Sequence, residues 1–296
     1  MSESALNLGG SKWKSFWNRG GWWKALAFAV VYLALYELVP LAASPFLGGA
    51  IDNDNIFATP QSIFVAVTLG LVIGSLILAA FAWSVGWLPR PLFARQPVKG
   101  SRWMWIAPAL VLAPIVLRLF GTDYGRYSAG VVAMMFVTGA FVGFSEELLT
   151  RGVAVTLLRR RGYGEWAVAA LSSLIFALLH SVNLLSGQPL STVAATVGYT
   201  FAFGMLMYLT LRVTGNLVWP MLLHALTDPA TMLASGGIDV DNSGTQNPLL
   251  SAAGLSTMLV IAAGFILLVF IRGNARGRAS ARELPLTPQA TVALKP

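Results

Sequence analysis

The chain reads as an all-α membrane protein, a polytopic bundle of about eight transmembrane helices enclosing an intramembrane polar cavity. Three observations predict this class. Of 296 residues, 56% are hydrophobic and only 11% are charged. Several apolar runs reach the roughly 20 residues that a helix needs to cross hydrocarbon, with a Gly and Pro content that membrane helices tolerate. The charges outside these runs fall mainly on alternate connections, and a few ionisable residues sit inside the runs themselves.

The spans are expected at about 25–44, 62–88, 103–120, 131–158, 166–185, 192–213, 216–235 and 249–271. Residues 1–24 mix Lys12, Lys14, Arg19 and Lys24 with Trp13, Phe16, Trp17, Trp22 and Trp23, the composition of an interfacial segment at headgroup level. The apolar run that follows is longer than a signal-peptide core and reads as the first span. The transmembrane domain covers 25–271. Residues 272–296, with Pro285, Pro288 and Pro296 and no apolar periodicity, read as a basic disordered cytoplasmic tail.

Positive charge sorts the connections. Arg90, Arg95, Lys99 and Arg102 lie on one, Arg159, Arg160 and Arg161 on another, and Arg212 and Arg272 follow in phase with the basic amino terminus. The alternate loops hold Asp52 and Asp54, then Asp123 with Arg126, then Asp239 and Asp241. By the positive-inside rule, both termini are expected in the cytoplasm. The net charge of +8 is thus accounted for by membrane topology, and nucleic acid is not an expected partner. The absence of cysteine excludes disulfides, thiolate zinc sites and a cysteine nucleophile.

An ionisable side chain inside hydrocarbon costs roughly 2.5–3.5 kcal/mol, so each one that persists is a functional candidate. The chain has two histidines, His180 and His224, and both lie within expected spans. The acids there are Glu37, Glu146, Glu147 and Asp228, and the bases Arg118 and Arg151. Counting about 1.5 Å per residue puts Glu146, His180 and Asp228 each roughly 18–20 Å from the cytoplasmic end of its span, at one level. Glu147 and Arg151 are four apart and share a helix face, which predicts an ion pair. Glu146 points about 100° away and is the carboxylate left to exchange protons. His224 and Asp228 also share a face. Glu37 is expected to find an interior partner and Arg118 to snorkel, while Gly139 with Gly143 and Gly70 with Gly74 have the spacing of close helix contacts.

These residues fall into three ordered motifs. Glu146-Glu147-Leu-Leu-Thr-Arg151 resembles the EExxxR motif of the CAAX-protease and bacteriocin-processing (CPBP, or Abi) family. Phe176-Ala-Leu-Leu-His180 is similar to its FxxxH motif, and His224-Ala-Leu-Thr-Asp228 to its third, with a motif core over about 139–230. The resemblance implies an eight-helix intramembrane endopeptidase acting on a membrane-associated protein or peptide. It implies that Glu146 is the general base for water, that His180 assists it, and that His224 and Asp228 stabilise the oxyanion. Family members with Asn at that last position have an amide donor, whereas Asp228 donates only when protonated.

The same residues leave three alternatives. His180 and His224 with Glu146 or Asp228 could form a two-histidine, one-carboxylate zinc site, although the HExxH helix of zinc proteases is absent. The favoured reading requires no cofactor. A non-proteolytic immunity factor or scaffold of the same family is the second function class. A proton-coupled transporter, with the acids and histidines as a relay, is the third.

Overall fold

The computed structural model describes residues 11–236 and 247–275. Among these residues the apolar runs become nine helices. A short one, α1 (Lys12–Asn18), is capped by Ser11, whose hydroxyl accepts from the Lys14 amide. Seven are long and apolar enough to cross a membrane: α2 (Trp22–Ala50), α3 (Pro60–Ser84), α4 (Arg102–Gly121), α5 (Ala129–Arg161), α6 (Glu165–Leu184), α7 (Leu190–Thr214) and α9 (Pro248–Leu268). Between the last two lies α8 (Val218–Ser235), the less apolar helix that carries His224 and Asp228. The protein is therefore a polytopic helical membrane bundle, with α8 occupying the place of the remaining expected span.

Local chemistry sets the helix limits. Thr59 and Ser128 cap α3 and α5 through their hydroxyls, which accept from Ser62 and Val131 amides. Left-handed glycines end α5, α7 and α8: Gly162 at φ 95°, Gly215 at 75° and Gly236 at 83°.

Two features of α5 place the site. Its glycine pair faces α8, and a Cβ on Gly139 would collide with the Ala225 carbonyl and Pro229, one on Gly143 with the Met221 carbonyl and the Ala225 backbone. The sequence expectation of close contact here is met, and α8 is the partner. The helix then widens to i→i+5 bonding over Leu148–Ala154, a fully buried segment between the two glutamates and the arginine-rich end. Such widened turns leave carbonyls short of their usual partners and occur often at functional sites. The Glu146 carbonyl here accepts the Thr150 hydroxyl at 2.6 Å.

The basic segments gather at one end of the bundle. The Gly21 amide donates to Leu157, bringing the start of α2 to the end of α5, and Arg160 reaches Asn18. The described part of the interfacial segment packs on the bundle: Trp13 donates to Ser84, and Trp17 stacks edge-on against Phe81. Trp22 and Trp23 remain about half exposed.

Two arginines counted as loop charges are in fact buried. Arg159 and Arg212 both pair with Glu165, at 2.7 Å and 3.0 Å, and Tyr208 donates to the same carboxylate. Arg212 also donates to the carbonyls of Lys99 and Arg272, so this one acid ties together α5, α6, α7, the connection before α4 and the chain after α9. Arg118 near the end of α4 donates to Thr257 of α9 at 3.0 Å. Asp239, Asp241 and most of the expected tail, 276–296, lie outside the described residues.

Candidate active site

Glu147 and Arg151 form the ion pair that their spacing predicts, at 3.1 Å, with both side chains fully buried. Arg151 also donates to Thr150 and lies with its guanidinium 4.7 Å from the Phe176 ring centroid. Gly204 of α7 leaves room for this guanidinium: a Cβ there would come within 2.7 Å of Nη2.

The second contact of Glu147 is to α8. His224 Nδ1 lies 2.9 Å from Glu147 Oε1. A carboxylate only accepts, so Nδ1 carries the proton and Nε2 becomes the reactive end of the ring. Nε2 faces Glu146 Oε2 at 3.6 Å and Asp228 Oδ1 at 3.9 Å. Phe176 and Phe203 pack edge-on to the imidazole, with ring centroids 5.7 Å and 4.9 Å away. Phe176 also packs at 5.1 Å from His180, whose Nδ1 donates to the Phe176 carbonyl at 3.1 Å. One aromatic residue thus braces both histidines and the arginine.

The two neighbouring glutamates differ as their helix phase requires. The Glu147 side chain is 0% exposed and that of Glu146 is 25% exposed. Glu146 opens into a cavity of about 240 Å³, which His180 and Asn183 of α6 also line. The structure therefore brings Glu146, Glu147, Arg151, His224 and Asp228 into one contact network, and sets His180 on the cavity that Glu146 faces.

Two tyrosines that sequence reasoning missed complete the wall, together with Glu37, which it singles out only as an intramembrane acid. Tyr32, Tyr36 and Glu37 of α2 line the same cavity. Glu37 takes part in none of the ion pairs among the described residues, so the expected interior partner is absent from them. The Gly70 and Gly74 pair was the available signal: Tyr36 lies against the first and Tyr32 against the second. Among the described residues no group of three His, Asp or Glu side chains is placed to hold a metal ion together.

Residues 128–230 match the family described as type II CAAX prenyl endopeptidase Rce1-like. The match begins at the cap of α5 and ends within α8, so it contains all three motifs and every contact of the Glu147 network. Over this segment, about a third of its length, the chain is similar to the Rce1-like, CAAX-protease family. No curated protein matches the chain. The family so matched is one of CAAX-type intramembrane proteases, and seven apolar helices make this protein an integral, multi-pass membrane protein. The helices outside the matched segment still shape its cavity, because α2 supplies one wall.

Proposed function

We propose that this protein is an endopeptidase that hydrolyses a peptide bond of a membrane-associated protein or peptide with water activated by Glu146. One observation carries the reading: of two adjacent glutamates, Glu147 is buried in hydrogen bonds to Arg151 and His224, while Glu146 opens into a cavity beside His180. A general base needs reach and exposure to the proton it takes, and only Glu146 has both.

Glu146 removes a proton as water attacks the scissile carbonyl carbon, and later returns it to the leaving amine. His180, fixed by its bond to Phe176, assists in orienting that water. His224 donates Nδ1–H to Glu147, which carries the countercharge, and Nε2–H to the oxygen on which charge develops. The Glu146 to His224 separation of 3.6 Å is of the kind that tightens when substrate binds. Asp228 stands beside the same nitrogen and joins the oxyanion site in its protonated form. Arg151 holds Glu147 rather than touching substrate. No step requires a metal.

The positive-inside rule supports a cytoplasmic orientation for the arginine-rich end, with both termini expected on that side and the site roughly 20 Å inside the membrane. Substrates near the membrane surface, including lipid-bearing chains of the kind named by the family, enter from within the bilayer. Purified protein in lipid nanodiscs should cleave members of a membrane-tethered peptide library, with products identified by mass spectrometry. Binding without products would favour a scaffold instead.

A further inference from the structure

The chemistry above assigns nothing to the wall of the cavity built by α2. We propose that Glu37, with the rings of Tyr32 and Tyr36, forms a subsite for a cationic substrate side chain, so that the enzyme prefers lysine or arginine near the scissile bond. This inference rests on the proposed endopeptidase reading and names the substrate class it acts on.

Charge points to the ligand. Glu37 and Glu146 both line the cavity, and none of the described lining residues is a lysine or arginine. An acid about 15 residues into a membrane span is costly to keep, and Glu37 joins no ion pair among the described residues that would offset the cost. A carboxylate held this way is complementary to an incoming cation, whose own charge would be equally costly there without it.

The aromatic residues add geometry. Tyr32 and Tyr36 lie stacked, with ring centroids 6.4 Å apart and planes inclined by 25°. Gly70 and Gly74 seat them, since a Cβ on Gly70 would meet the Tyr36 ring at 3.1 Å and one on Gly74 would press on the Tyr32 hydroxyl. Ring faces attract ammonium and guanidinium groups, most strongly where water is scarce. Carboxylate and rings occupy adjacent turns of one helix, and the cavity of about 240 Å³ has the dimensions of side chains rather than of a folded partner.

The test uses the full-length protein in nanodiscs and tethered peptides that differ only in carrying lysine, norleucine or glutamate at each position flanking the cleaved bond. Wild type is expected to favour lysine over norleucine by about tenfold in kcat/KM, the size of one desolvated cation contact. In Glu37→Gln that ratio should fall to about unity, and in Glu37→Lys it should reverse toward glutamate. Ratios are read within each variant, so a change in overall activity does not enter, and Tyr36→Leu provides a second lesion of the subsite, expected to lower the ratio as well. Glu146-dependent cleavage that ignores charge in wild type, or a lysine preference that survives in both Glu37 variants, would overturn the inference while leaving the endopeptidase reading intact. Cleavage that persists in Glu146→Gln would overturn that reading and this subsite with it.

Discussion

His224 on α8 and Glu147 on α5 are joined by a 2.9 Å hydrogen bond between Nδ1 and Oε1, and this bond fixes which end of the imidazole faces the cavity. The carboxylate is shared with Arg151, so one buried acid orients the histidine and neutralises the arginine.

Arg151 should therefore be coupled to Glu147 in stability. Removing one partner of a buried pair leaves an uncompensated charge and costs about 3–5 kcal/mol. Arg151→Gln and Glu147→Gln are each expected to lower the thermal midpoint in detergent substantially, and the double variant by clearly less than the sum. Additive losses would show that the pair is not a unit.

The α5 to α8 contact should control catalysis through distance. Gly143→Ala places a methyl group against the Met221 carbonyl and Ala225, pushing His224 away from Glu146 and Glu147. A displacement of about 1 Å at a reacting group costs on the order of 100-fold in rate. Cleavage should fall by that order. The same change at Gly198, where a Cβ meets nothing within 4 Å, should leave it near wild type.

Glu165 should act on stability rather than on chemistry. Glu165→Gln leaves Arg159 and Arg212 buried without their anion, and a loss of about 3–5 kcal/mol is expected. The check is a lower melting temperature with kcat per folded molecule retained. A selective loss of kcat at unchanged stability would contradict it.

Metal chelation should not inhibit cleavage. The check is elemental analysis of active protein beside the assay. Stoichiometric zinc, with activity lost to a chelator and restored by zinc, would overturn the metal-free mechanism proposed here.

The Glu147 to Arg151 pair and the three motifs were legible in the sequence because they are local, with partners four residues apart on one helix. The contact between Glu147 and His224, 77 positions apart, was not. Gly139 and Gly143 announced a close helix approach without naming α8, since a small-residue spacing describes one surface and not its partner. Glu37 shows the same limit. Helix phase puts it on a side of α2, but only packing shows that this side closes the cavity. Arg159 and Arg212 were misread as loop charges because counting charge by connection does not distinguish a solvated arginine from one folded onto Glu165.

The central claim is the division of labour between adjacent glutamates, and Glu146→Gln tests it most directly when assayed for cleavage and thermal stability in the same preparation. The account predicts that cleavage is abolished while the melting temperature stays close to wild type, since Glu146 is part-exposed to the cavity and Glu147 carries the buried bonds. Retained cleavage in a folded Glu146→Gln protein would contradict it.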